Sequence, residues 1–181
     1  RRSSDLRVMI THPAARESFA LRPFAPKTVL LANLGAVQLN HDFGRKECLQ
    51  ALEVLGADGL YLHLNPLQEA IQPEGDTNFR GLADKIGALA AELPKPLLLK
   101  EVGSGISFRD AEMAAARGIR YIDVAGSGGT SWSRIEHFRQ HPGRGSDGGR
   151  AGLLFQDWGI PTPDLLRDLA PLRDRDRKSV V

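Results

Sequence analysis

Short apolar runs alternate with amphipathic helical patterns along most of this chain, and that alternation restricts the fold more than any other feature. Thr28 to Leu34 reads as a buried strand, and Phe43 to Leu55 as a helix with Cys48, Leu52 and Leu55 on one stripe. Gly56 and Gly59 bracket the turn into a second strand, Leu60 to Leu64. Phe79, Leu82, Ile86, Leu89 and Leu93 then recur at helical spacing, with Asn78 placed to cap the start and Pro94 to end it. Pro96 to Val102 is the third predicted strand. Ser107 and Asp110 predict a capping box that opens a helix to Arg117, stopped by Gly118, before a fourth strand from Ile119 to Ala125.

Such alternation calls for parallel strands joined by right-handed crossovers, one unit about every 30 residues. The expected class is therefore α/β, either a (β/α) barrel or a doubly wound sheet. Each strand ends in different chemistry: Asn33, then His63 and Asn65, then Lys100, then Ser127 and Thr130. Convergence of several strand ends on one site favours the TIM barrel. A whole barrel takes about 250 residues. A chain of 181 residues with four strands is thus expected to cover roughly the middle half of one. The expected division is a partial barrel domain over 1–172 and a charged, frayed tail over 173–181. Within the C-terminal part, His141 to Gly152 reads as a mobile loop and Leu153-Leu154-Phe155 as a short buried segment. Thr162-Pro163-Asp164 reads as the start of a helix running to Leu169.

Composition narrows the function classes. Twenty-four Lys and Arg against 22 Asp and Glu leave a formal charge of +2, too small to argue for a nucleic-acid partner. Hydrophobic residues at 41% and charged residues at 25% are those of a soluble globular protein. No apolar run approaches the roughly 20 residues of a membrane span, and the Arg1-Arg2-Ser3-Ser4-Asp5 start has no signal-peptide character. The lone Cys48 excludes an internal disulfide, suits a reducing compartment and is expected in the core. A soluble cytoplasmic protein is the expectation.

The densest polar chemistry follows the second strand, in Leu62-His63-Leu64-Asn65-Pro66-Leu67-Gln68-Glu69 and Pro73-Glu74-Gly75-Asp76. His63 and Asn65 share a face on an extended chain, and Gln68 and Glu69, in a loop or first helical turn, can lean over the same spot. An imidazole and two amides donate hydrogen bonds, and a carboxylate holds a hard cation. Together they suit an anionic, metal-bridged ligand such as a diphosphate. Glu74 and Asp76 are rival metal ligands. Glu69 also reads as a surface carboxylate and His63 as an ordinary half-buried histidine. Lys100 is either a solvated strand end or an ammonium aimed at the barrel mouth, and its strand-end position favours the second. Ala125-Gly126-Ser127-Gly128-Gly129-Thr130-Ser131 is either a flexible turn or a set of N–H groups and hydroxyls before a helix from Trp132. His12, His41, His137 and His141 have no partner that the sequence indicates.

Six ordered blocks carry a resemblance. They are Leu31-Ala32-Asn33-Leu34-Gly35-Ala36-Val37-Gln38, His63-Leu64-Asn65 with Gln68-Glu69, Pro73-Glu74-Gly75-Asp76, Lys100-Glu101-Val102-Gly103, Asp123 through Trp132, and Asp157-Trp158-Gly159-Ile160-Pro161-Thr162. Together they resemble the type 2, FMN-dependent isopentenyl-diphosphate isomerases, TIM barrels that bind FMN at the C-terminal mouth. The resemblance implies that Asn33, Lys100 and Thr130 contact FMN, with Ser127 beside them. It implies Gln68 as the substrate-contacting catalytic candidate, Glu69 as the magnesium ligand, and His63 and Asn65 as the diphosphate pair. Arg7 resembles a substrate-contacting arginine. FMN, Mg2+ and NADPH, the last only as flavin reductant, are the implied cofactors, and a homo-oligomer is implied for the full-length protein.

The sequence departs from that family at three places. Asp5 stands where the family has serine. The family's basic N-terminal substrate segment and first flavin-binding strand have no counterpart, nor does its glycine-rich phosphate site after Leu172. The expectation is an isomerase as parent protein and an inactive isolated piece. The competing readings are an FMN-dependent 2-hydroxy-acid oxidase, whose His-Arg pair is not supplied after Lys100, and a non-catalytic truncated remnant or half-barrel prone to self-association.

Overall fold

The computed structural model describes residues 6–140 and 150–175. The Asp5 departure, the loop prediction over 141–149 and the charged tail from 176 fall outside the described residues. Four parallel strands, β1 (Leu31–Gly35), β2 (Gly59–His63), β3 (Leu97–Lys100) and β4 (Tyr121–Asp123), form one sheet in the order β1-β2-β3-β4. Strand order follows chain order without reversal, so the sheet lacks the switch point of a doubly wound fold. The α/β class and the parallel sheet are as the sequence predicts.

Burial alternates along the strands. Ala32, Leu34, Leu60, Leu62, Leu97 and Leu99 are buried in the core. The opposite face carries two registered rows, Asn33–Tyr61–Leu98–Tyr121 and Gly35–His63–Lys100–Asp123. Registered partners of a parallel sheet project to the same side, so the second row sets four different strand ends in a line.

The helices supply the other side of the core. Arg45–Leu55 buries Cys48, Ala51, Leu52 and Leu55, and the Glu47 carboxylate accepts from the Gly44 N–H at 2.9 Å to close its first turn. Burial pushes the Cys48 thiol up to about 12, which makes it an inert core residue, as expected. Leu82–Glu92 buries Leu82, Ile86 and Leu89. This helix starts later than predicted. Asn78 does not cap it, because its Oδ1 accepts from the Arg80 N–H two residues on and Gly81 occupies the N-cap in a left-handed conformation. Phe108–Ala115 begins on Ser107, whose Oγ accepts from Asp110 N–H at 3.2 Å.

Two further expectations change. Leu153 and Leu154 belong to the short helix Ala151–Leu154, and Leu154 is 76% exposed, so this is not a buried segment. The last helix, Thr162–Arg175, runs past Leu169, where the sequence predicts its end, through Pro171. It buries Leu165 and Leu169 against the core, and that packing sustains it. After β4, an isolated parallel bridge pairs Ser127 with Pro161. Gly126 makes this possible, because a Cβ there would lie 2.6 Å from Ile160 O and 2.7 Å from Thr162 N. Among the described residues, no helix is long and apolar enough to cross a membrane.

Candidate functional site

The C-terminal side of the sheet holds one cleft of about 790 Å³, lined from β1 by Asn33 and from the other three strands by their ends and the segments after them. Arg7, Asn33, His63, Asn65, Gln68, Glu69, Lys100 and Thr130 all line it. Ser127 lies on an adjoining hollow that shares Gln68, Gly103 and Thr130 with the main cleft, and the rival metal ligands Glu74 and Asp76 line neither.

His63 ends β2, and its Nδ1 lies 3.1 Å from Asn33 Oδ1. The amide oxygen only accepts, so Nδ1 carries the proton and Nε2 is left as an acceptor. Burial, then Lys100, then Arg7 push the imidazole down to about 4. It is therefore neutral at pH 7. Unfolded, the same ring titrates near 6.5, so between pH 6.5 and 4 the unfolded chain binds the extra proton and native stability falls as pH falls. The loss across that window is expected to be on the order of 3 kcal/mol. Denaturant titrations at stepped pH check this: His63→Gln should flatten the dependence, and an unchanged slope in that variant would refute the assignment.

Lys100 closes β3. Burial lowers its pKa, against the opposing pull of Asp123 and Glu101, and its Nζ donates to Glu101 O at 2.9 Å. Asp123, on the same row, hydrogen-bonds Tyr61; the Tyr61 hydroxyl is pushed up by burial, by the Asp123 charge and by that bond.

Past β2 the chain does not continue as a strand. Asn65 sits at the N-cap of Pro66–Ile71, which places Gln68 and Glu69 in its first turns. Asn65 is 4% exposed, and its Nδ2 donates to Glu69 Oε1 at 2.7 Å and to Gln68 Oε1 at 3.4 Å. The amide thus organises its neighbours, and its own Oδ1 is buried without a hydrogen-bond partner among the described residues. Glu69 Oε2 accepts the Asp76 N–H at 2.7 Å. Gly75 permits this, since a Cβ at that position would collide with the Glu69 carbonyl. The Asp76 carboxylate pairs with His41, so Asp76 as a rival metal ligand gives way to a loop anchor and His41 gains the partner that sequence did not indicate. Among the described residues, no three His, Cys, Asp or Glu side chains cluster as a self-contained metal cage.

Three groups escaped the sequence reading. Glu101 is 3% exposed, and its Oε2 accepts three consecutive N–H groups, from Val102, Gly103 and Ser104, at 2.7, 2.8 and 2.6 Å. Glu136 is 2% exposed on the helix Trp132–Gln140 and accepts from Gln68, Gln72 and Arg139. Arg139 lines the cleft with Arg7 and Lys100, so three cations border it. A signal for the second and third does exist: Ser133, Glu136 and His137 are buried while Trp132 and Phe138 are 41% and 56% exposed, so this helix turns its polar face inward.

These features define a class of protein: a parallel α/β fold with a polar cleft at its strand ends, bordered by Arg7, Lys100 and Arg139. No family model matches the chain. Curated relatives narrow the class. Over 176 residues the chain is 58% identical to the isopentenyl-diphosphate delta-isomerase of Paracoccus zeaxanthinifaciens, covering 97% of this chain and 49% of that protein. It is 52% identical to the protein of the same name from Hydrogenovibrio crunogenus, covering 93% and 48%. With the Nostoc protein of that name it shares 49% identity over 91% of this chain and 47% of the relative. The chain spans about half the length of the curated relatives it matches.

Proposed function

We propose that these residues form the substrate side, and part of the flavin side, of a type 2, FMN-dependent isopentenyl-diphosphate isomerase of TIM-barrel fold. One observation carries the reading: Arg7, strand residues Asn33, His63 and Lys100, and Asn65, Gln68, Glu69 and Thr130 from the segments that follow β2 and β4 all line a single cleft. The names of the relatives support the activity, and the six sequence blocks support the subtype.

The donor set fits magnesium bound together with a diphosphate. Mg2+ is held by one or two carboxylates plus phosphate oxygens and water, and Glu69 with the unpartnered Asn65 Oδ1 offers hard oxygen donors of that kind. Asn65 would therefore reach the diphosphate through the cation or a water, because an acceptor repels another acceptor. Arg7, Lys100 and Arg139 offset the remaining charge. Asn33, Lys100 and Thr130, with Ser127 alongside, are the groups for the flavin ring, and the cleft volume has room for it beside a small substrate. Reduced FMN, with NADPH as its reductant, would supply the acid and base chemistry that an unactivated alkene requires.

In the reaction a proton adds to the terminal alkene carbon and another leaves the carbon nearer the diphosphate, with no net redox change. The residues here bind and orient. Glu69 and Asn65 fix the diphosphate end, and Gln68 sets its amide against the hydrocarbon end. His63, neutral at pH 7, keeps Asn33 oriented. Cytoplasmic location and homo-oligomeric assembly of the longer polypeptide belong to the same proposal. No observation favours the hydroxy-acid oxidase.

The test uses the longest natural polypeptide containing these residues, supplied with FMN, Mg2+ and NADPH. Formation of dimethylallyl diphosphate from isopentenyl diphosphate is the expected result. Absence of both turnover and flavin binding would refute the proposal.

A further inference from the structure

We infer that His41, on the connection after β1, is a positioning residue for the Glu69 carboxylate and so sets how tightly the cleft holds its divalent cation. The inference rests on the proposed role of Glu69. His41 lines neither the cleft nor the adjoining hollow. It acts through the stretch 72–81, which joins the helices Pro66–Ile71 and Leu82–Glu92 and has no helix or strand of its own. Side chains from the far side of β1 tie this stretch down. His41 Nε2 pairs with the Asp76 carboxylate. Asn40 Nδ2 donates to Asn78 O at 2.5 Å and to Arg80 O at 3.2 Å. Both residues end the short helical turn Ala36–Asn40, which buries Ala36, Val37 and Leu39 and is thereby a fixed support.

Asp76 passes the constraint on. Its side chain is held by His41, and its N–H donates to Glu69 Oε2 at 2.7 Å, while Asn65 Nδ2 holds Glu69 Oε1 at the same distance. Each carboxylate oxygen offers about two acceptor directions. One on each oxygen is taken by these donors, and that fixes where the remaining ones point. Mg2+ demands near-ideal octahedral geometry, so its affinity depends on those directions. Without the anchor, the Asp76 N–H would sit in an irregular segment that must be ordered afresh each time the cation binds. A carboxylate only accepts, so the imidazole nitrogen facing Asp76 carries a proton whether the ring is charged or neutral.

The His41 side chain is 45% exposed, so His41→Ala removes the contact without opening the core. In the longer polypeptide it should raise the magnesium concentration for half-activity about three- to tenfold, less than for a group bonded directly to a metal-binding side chain. At saturating magnesium kcat should stay within about twofold of the parent. His41→Gln places an –NH2 close to where Nε2 stands and should restore the parental dependence, whereas the shorter His41→Asn should not. Asn40→Ala should move the midpoint in the same direction as His41→Ala. Added to Glu69→Gln, His41→Ala should cause no further shift. A second readout needs no turnover. In the 181-residue chain labelled with 15N, the Asp76 backbone amide should be shifted downfield and protected from exchange. His41→Ala should lose both properties and His41→Gln keep them.

A parental magnesium midpoint in His41→Ala overturns the inference, as does an Asp76 amide that this variant leaves unchanged. So does a loss of kcat that saturating magnesium fails to restore, which is the pattern of general destabilisation. A parental magnesium dependence in Glu69→Gln would overturn the proposed role of Glu69 itself, while the Asp76 amide would still establish the contact through which His41 acts.

Discussion

Glu69→Gln is expected to lower isomerase turnover in the longer polypeptide by about a hundredfold or more at fixed magnesium, with the metal concentration for half-activity moved upward. Two effects add. The substitution removes the carboxylate charge that the proposal sets against the cation. It also disturbs the support, because Oε1 and Oε2 of Glu69 each accept a hydrogen bond, from Asn65 Nδ2 and from the Asp76 N–H, both at 2.7 Å. A glutamine has one acceptor for those two donors, so one of them is left facing an –NH2. Activity measured over a magnesium titration is the check. A variant with the parental magnesium dependence would move the metal site away from Glu69.

Glu101→Ala should be the most destabilising single change near the cleft, by about 3–5 kcal/mol in chemical denaturation. The parental carboxylate oxygen satisfies three consecutive backbone donors from an almost fully buried position, and alanine leaves all three without a partner. Glu101→Gln keeps one carbonyl oxygen for the three donors but loses charge assistance and places its –NH2 where Oε1 is buried without a partner, so about 1–3 kcal/mol is expected for it. The local consequence reaches the site, because the Glu101 carbonyl receives Lys100 Nζ and the same loop lines the cleft. A Glu101→Ala midpoint within experimental error of the parent would show that water replaces the carboxylate at no cost.

The parts of the fold legible in sequence were those with a local period. Thr28 to Leu34 and Leu60 to Leu64 overlap β1 and β2 to within one residue at the strand's far end and start respectively, and Pro96 to Val102 contains β3, because a short apolar run between turn residues marks a strand with at least one face in the core. The ends were less legible. Asn78 offered a cap by type, yet a two-residue turn of its own claimed its side chain and Gly81 took the position. Leu153-Leu154-Phe155 was apolar without being buried, since three apolar residues carry no information about which side faces the core.

Which polar residues stand at the strand ends was legible along the chain: a polar residue at the exit of a parallel strand points to the strand-end side of the sheet whatever lies beyond. How those residues are wired was decided only by the tertiary structure. Gln68 and Glu136 are 68 positions apart, and Asn33 and His63 are 30 apart. Nor could the sequence tell that Asn65 turns its donor toward Glu69 and buries its acceptor, or that Glu101 folds back on three of its own following amides. Periodicity is a property of neighbours along one chain segment, whereas donor and acceptor pairing depends on directions in space that are fixed once the strands are registered and the helices packed.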